Sequence, residues 1–283
     1  MSYLEAATKA AIEVKGKLSE KYNIKNLGPA RQFRGIEIYC DEIGTGISLG
    51  QKFYITTILR QFGMEYSHGV STPIDSNVQL DLADNWGEKE LEDITDYQAV
   101  MESLMYAALG TRPDISYAVT ELSLYNSPPI TIHMTAAKRV LQYLKSTAHF
   151  RLHFTGNGID IGNSLIGYLD SDWANDSADR KSQGSHVFLT SNGAVLWRFR
   201  KQSLITMSTL EAKFIACSEA SREAKWFLQL QKNIHGSQKD SPPLPINCDN
   251  QGALTPITTG IIKAQTKRSM FAITTVEICT NAD

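Results

Sequence analysis

Between Gly156 and Asn163 the chain reads Gly-Asn-Gly-Ile-Asp-Ile-Gly-Asn, a run too rich in glycine and asparagine to sit inside a helix or a packed strand. Apolar residues recur with different periods on its two sides. The stretch therefore acts as a linker, at 156–163, and the chain must be read as two modules. With 283 residues, there is enough chain for two hydrophobic cores.

The first module is mostly helical. Leu4, Ala7, Ala11, Val14 and Leu18 repeat at helical spacing over residues 4–22, and the pattern stops at Asn26-Leu27-Gly28-Pro29. Two extended segments at 33–40 and 46–51 predict a hairpin, followed by a helix over 53–62. An acidic stretch at 81–93 predicts a surface connection, and helices are expected over 97–109, 113–125 and 133–145. The second module changes period. Strands are expected at 165–169, 186–189 and 194–199, the last two joined by Ser191-Asn192-Gly193, whose Asn-Gly pair is a hairpin signal. A long helix follows at 210–235, with Phe214, Cys217, Trp226, Leu230 and Ile234 as expected core positions and Gly236 as its stop. A strand at 245–248 and a helix at 250–257 complete an α/β order, βββαβα.

At 42% hydrophobic and 20% charged residues, the composition is that of a folding chain. A formal charge of −2 gives no global basic field, so any nucleic-acid contact must come from local patches. The cysteines Cys40, Cys217, Cys248 and Cys279 have no paired spacing, which argues against a disulfide framework or zinc site and for a reducing compartment. There is no signal-peptide pattern after Met1 and no apolar run of the roughly 18 residues a bilayer requires. A cytoplasmic or nuclear protein with no membrane partner is expected.

Three acids stand where elements meet. Asp170 ends an apolar strand in Gly167-Tyr168-Leu169-Asp170, Glu211 lies in the first turn of the long helix after Ser208, and Asp249 follows a short strand. Strand ends and helix starts can bring carboxylates together, and oxygen donors are what hard divalent cations require. Each acid also has a structural reading: Glu211 completes a capping box with Ser208, Asp249 caps a helix, and Asp170 is a turn residue. Two other patterns lead elsewhere. Gly46-Ile47-Ser48-Leu49-Gly50 matches G-x-S-x-G, but its serine lies within a hairpin strand rather than at a strand-to-helix elbow. His149 and His153 are read as a solvated pair at a helix end.

In order along the chain, Tyr97-Gln98, Ser103-Leu104-Met105-Tyr106, Gly110-Thr111-Arg112-Pro113-Asp114-Ile115, Ala136 to Leu141 and Tyr143-Leu144-Lys145 resemble the segment between polymerase and RNase H in copia-type Pol polyproteins. Asp170-Ser171-Asp172-Trp173-Ala174, Arg180-Lys181-Ser182, Ser208-Thr209 with Glu211-Ala212, and Cys248-Asp249-Asn250-Gln251 resemble the RNase H motifs of that family. The resemblance covers residues 4–267. It implies a reverse-transcriptase palm, thumb and connection remnant at 1–155, an RNase H-like mixed-sheet domain at 164–260, and a divergent, C-terminally truncated tail at 261–283. It also implies that Asp170, Glu211 and Asp249 hold two Mg²⁺ or Mn²⁺ ions and cut the RNA strand of an RNA/DNA hybrid. Asp172 matches less well than Asp170, and Lys213 stands where a further acid is often found. Arg180, Lys181 and Lys201 are implied phosphate contacts, with a solvated basic loop as their other reading. The remainder of a Pol polyprotein is the implied partner. The alternative is a catalytically inactive remnant, with or without nucleic-acid affinity.

There are departures from the family pattern. The chain contains no adjacent aspartate pair, so it lacks the metal ligands for DNA synthesis on its own. Arg34, Glu102, Leu124, Ser146 and Asn175 stand where the family usually has Leu, Gly, Arg, Gly and Gly, and the first two would be costly if buried. After Lys267 the likeness ends. Reading the tail one nucleotide earlier permits IDVCYHNSRDLH, which resembles the missing continuation; a frameshift that removes the last strand and helix, and weakens any activity, is the expectation.

Overall fold

The computed structural model describes residues 3–24, 28–41, 46–78, 80, 91, 93–155, 165–172, 181–206, 208–235, 244–248 and 276–280. The first module opens with helix α1 (Tyr3–Lys21) and strands β1 (Gln32–Phe33), β2 (Ile36–Cys40) and β3 (Gly46–Gly50). Helices α2 (Lys52–Gln61) and α3 (Ile94–Gly110) follow, then a 3-10 turn (Pro113–Ile115), α4 (Ser116–Ser123), α5 (Thr131–Ser146) and strand β4 (Arg151–Thr155). The strands form an antiparallel sheet in the order β1-β2-β3-β4.

Strand β4 was not foreseen, because its pairing partner β3 lies about a hundred residues earlier and no local turn marks it. His153 accordingly sits on a strand and not at a helix end. Its Nδ1 is 2.8 Å from the Ser48 hydroxyl across the β3–β4 pair, and both residues are solvent-accessible. Ser48 is in mid-strand, as the hairpin reading required.

The helices enclose one core in which Ile55, Tyr97, Leu104, Ile115, Leu122, Leu141 and Leu144 are wholly buried. Local chemistry fixes its joints. The Asp93 carboxylate caps α3 by accepting the Thr95 N–H at 2.8 Å. Buried Gln51 accepts both the backbone N–H and the hydroxyl of Thr111, at 3.0 and 2.9 Å, tying the start of α2 to the end of α3. Arg34 and Glu102 are both exposed, so neither departure buries a charge.

The second module contains β5 (Ile166–Asp172), β6 (Gln183–Thr190), β7 (Gly193–Lys201), α6 (Thr209–His235), β8 (Leu244–Cys248) and β9 (Val276–Thr280). Its sheet has the order β7-β6-β5-β8-β9. The first three strands are antiparallel, while β8 runs parallel to β5 and β9 parallel to β8. This is the RNase H-like order of three strands, a helix and a parallel strand, extended by β9. Ser191 and Asn192, both at positive φ, make the tight β6–β7 turn.

Two expectations are corrected here. The tail was expected to leave β8 as an open edge, but β9 covers it, because Val276–Thr280 is itself a β-branched, alternating segment. Trp226 and Leu230 were expected in the core and are exposed. The buried side of α6 is instead a seam of Ala212, Ala216, Ala220 and Ala224, spaced four apart, with Phe214 and Cys217 beside it. Small side chains let the helix lie close on the sheet, and Trp226 and Leu230 fall on the outer face. The helix expected at 250–257, the linker at 156–163 and most of the connection at 81–93 lie outside the described residues.

Candidate nucleic-acid site

Side-chain alternation divides the second sheet into two faces. On β5, Gly167, Leu169 and Ser171 are buried, while Tyr168, Asp170 and Asp172 are exposed. The register carries this across the sheet. Leu169 faces His186 on β6, which faces Arg198 on β7, and this row lies under α6, where Arg198 reaches Glu223 at 3.5 Å. Asp170 faces Ser185, which faces Phe199; Asp172 faces Gln183, which faces Lys201. These rows look toward the first module. Phe199 packs edge-on against Tyr117 of α4, with ring centroids 4.9 Å apart, and its carbonyl accepts the Thr120 hydroxyl at 3.4 Å. The Gln183 amide donates to the Glu121 carboxylate, and the Trp197 indole donates to the Ala108 carbonyl at 2.9 Å.

Asp170 thus stands exposed on the central strand, on the face opposite α6, with one carboxylate oxygen accepting the Ser171 N–H at 2.7 Å. Glu211 is exposed in the first turn of α6, and its N–H is capped by the Ser208 hydroxyl at 3.2 Å. Asp170 lies on the face of the sheet opposite α6, and Glu211 stands in the first turn of α6 itself. Asp249, the third expected acid, and Arg180 lie outside the described residues. Lys181 precedes β6, and Lys201 ends β7 in the same cross-strand row as Asp172. Among the described residues no three His, Cys, Asp or Glu side chains gather closely enough to hold an ion. The donors that are described, two carboxylates, are nonetheless of the hard oxygen type that Mg²⁺ or Mn²⁺ takes.

The contribution of α4 was not anticipated. Tyr117 lies two residues after the Arg112 to Ile115 motif, but nothing local to it signals a contact with a strand some eighty residues later.

No family model matches the chain. Its sequence relatives include transposon polyproteins. The retrovirus-related Pol polyprotein from transposon TNT 1-94 of Nicotiana tabacum is 33% identical over 261 residues, covering 90% of this chain and 19% of that protein. The corresponding polyprotein from transposon RE1 of Arabidopsis thaliana is 34% identical over 236 residues, covering 83% of this chain and 15% of that protein. A mitochondrial protein of Arabidopsis thaliana, AtMg00810, is 31% identical and is covered over 83% of its length. The chain belongs to the Pol polyproteins of copia-type retrotransposons. It spans a fifth or less of the length of the transposon polyproteins it matches, 19% and 15%. The RNase H1 of Halobacterium salinarum aligns with 41% of this chain and 83% of its own, at 13% identity and a TM-score of 0.30; the family assignment rests on the sequence relatives. No described helix is long and apolar enough to cross a membrane.

Proposed function

We propose that the second module is an RNase H-type nuclease domain of Pol, acting on the RNA strand of an RNA/DNA hybrid. The observation that carries this reading is the placement of Asp170, exposed on the central strand of a mixed sheet in a chain of Pol ancestry. Asp170, Glu211 and Asp249 would hold two Mg²⁺ or Mn²⁺ ions, which when bound supply an activated water and neutralise charge developing on the phosphate. The chain's own residues hold and aim the substrate: Lys181, Lys201 and Arg180 offer cations to the phosphates, fixing register without reading sequence. Choice of the RNA strand follows from its 2′-hydroxyls, which DNA lacks. The remainder of a Pol polyprotein, with its own aspartate pair, would supply polymerisation, and the cytoplasm or nucleus is the setting this implies.

The test is cleavage of a labelled hybrid by the full chain with Mg²⁺ or Mn²⁺, beside the Asp170→Asn variant. RNA-strand cleavage that the substitution abolishes, with the thermal midpoint unchanged, supports the proposal. Hybrid binding without metal-dependent cleavage identifies a non-catalytic remnant, and equal cleavage by Asp170→Asn places the activity elsewhere.

A further inference from the structure

The face of the sheet that carries Asp170 and Asp172 is walled on one side by a helix from the other module. Helix α4 reaches it at three points: the Tyr117 ring on Phe199, the Thr120 hydroxyl on the Phe199 carbonyl, and the Glu121 carboxylate under the Gln183 amide. Phe199 and Asp170 flank Ser185 in one cross-strand row, and Gln183 is the direct neighbour of Asp172 in the next. A duplex lying along the exposed acids of β5 would therefore meet α4 at its flank. Of the α4 side chains at this seam, Thr120 and Glu121 are engaged with the sheet. Tyr117 differs. Its ring is anchored, yet the residue is 41% exposed. The phenol is held above its ordinary pKa, first by burial and then by the carboxylates of Glu121 and Asp172. A phenol is a protonated donor at neutral pH, and this one is anchored by its aromatic contact to Phe199, in the cross-strand row that carries Asp170.

We infer that Tyr117, contributed by the first module, is a substrate-positioning residue of the RNase H-type site, its hydroxyl donating to a phosphate oxygen of the bound hybrid. The inference rests on the nuclease reading above and adds that the site is composite: the sheet supplies the acids and α4 supplies a donor. A fixed phenol costs little conformational entropy to use, unlike a long lysine side chain. The carboxylates beside it repel phosphate, so the donor is what makes this wall tolerable to a polyanion. Its role is to set the position of the strand and not to take part in the reaction.

The test uses the full chain and a short fluorescein-labelled RNA/DNA hybrid. Tyr117→Phe keeps the ring contact with Phe199 and removes only the hydroxyl. In an Asp170→Asn background, which prevents cutting, fluorescence anisotropy should show the hybrid Kd rising about ten-fold or more, the scale of one lost hydrogen bond to a charged group. In the cleaving chain KM should rise by a similar factor with kcat nearly unchanged, and the unfolding midpoint should not move, since the packing is retained. An unaltered Kd and KM in Tyr117→Phe would overturn the inference while leaving the nuclease reading intact. If the parent chain never cleaves, the nuclease reading falls, and the anisotropy arm alone decides whether Tyr117 holds a hybrid: a weakened Kd upholds the contact and an unchanged one removes it.

Discussion

Arg112 and Asp114, two residues apart, close a two-point ion pair, Nε to Oδ1 at 2.9 Å and Nη2 to Oδ2 at 2.7 Å, in which the arginine is 1% exposed. The intervening Pro113 begins the 3-10 turn that folds the pair back on itself. The remaining guanidinium donors reach the Thr147 carbonyl at 3.0 Å and hydroxyl at 2.5 Å, and the Tyr143 hydroxyl donates to Asp114 at 2.9 Å. Tyr143 and Phe150 lie against the guanidinium, 5.6 and 5.5 Å from their ring centroids. This explains the Arg112-Pro113-Asp114 motif as architecture: one residue ties the end of α3 to the end of α5. Arg112→Ala would leave Asp114 and Thr147 without their donor and should destabilise the chain by about 3–5 kcal/mol. Arg112→Lys keeps charge but not the fork, and a loss of about 1–3 kcal/mol is expected. Urea unfolding midpoints check both; an unchanged Arg112→Ala midpoint contradicts the role.

A second joint tests close packing. A Cβ on Gly110 would lie 2.6 Å from both amide heteroatoms of Gln51, which is itself held by Thr111. Gly110→Ala should therefore cost about 1–3 kcal/mol despite the better helix propensity of alanine. The double variant with Gln51→Ala should recover part of that loss, because the obstructing amide is gone. A double-mutant cycle with no coupling between the two sites would show that they are not in contact.

Two histidines predict how stability responds to acid. His133 is fully buried; its Nδ1 accepts the Ile130 N–H at 3.1 Å, so Nε2 carries the proton and donates to the Leu80 carbonyl at 2.9 Å. Burial lowers its pKa. His186, under α6, is pushed down to about 4, first by burial and then by Arg198 beside it. Both folded values lie below the unfolded one, near 6.5. Their contribution is thus complete above that value and is lost as pH falls toward the folded pKa, because the unfolded chain takes up protons the folded one refuses. Between pH 7 and pH 4 the urea midpoint should fall, with His186 alone accounting for roughly 3 kcal/mol at most. His186→Gln should flatten that slope; an unchanged slope would mean the acid response lies in other groups.

Much of the fold was legible because its signals are local. The α2, α3 and α5 helices follow from apolar spacing, and the β6–β7 hairpin from Asn192-Gly193, where the chain places φ of 49 and 64° at Ser191 and Asn192. What was not legible depends on distant partners. Strand β4 exists because β3 offers it an edge, and β9 because β8 does. For the site, sequence pointed to Asp170 and Glu211 as residues at element junctions, but it contained nothing to say that Asp170 would lie on the face that looks toward the first module. The wall formed by α4 was invisible for the same reason: Tyr117 and Phe199 meet only when the two modules dock.

Helix α6 offers the sharpest contrast between pattern and packing. Leu, Trp and Phe at helical spacing suggest a core face, yet Trp226 is 56% exposed while Ala220 and Ala224 are fully buried. The deciding factor is distance between backbones. An ideal Cβ on Gly184 of β6 lies only 3.5 Å from the Ala216 methyl, so this part of the helix rests almost directly on the sheet. No larger side chain fits beneath it without lifting the helix. Ala220→Leu should therefore destabilise by about 1–3 kcal/mol through overpacking, and by shifting α6 it should also disturb Glu211 and lower hybrid cleavage. Trp226→Ala, which removes a larger side chain, should cost less, about 1 kcal/mol, since more than half of that surface is already in water. Thermal and urea unfolding of the two variants side by side settles the orientation of the helix. A large loss from Trp226→Ala with none from Ala220→Leu would mean that α6 is rotated about its axis, with the bulky face on the sheet.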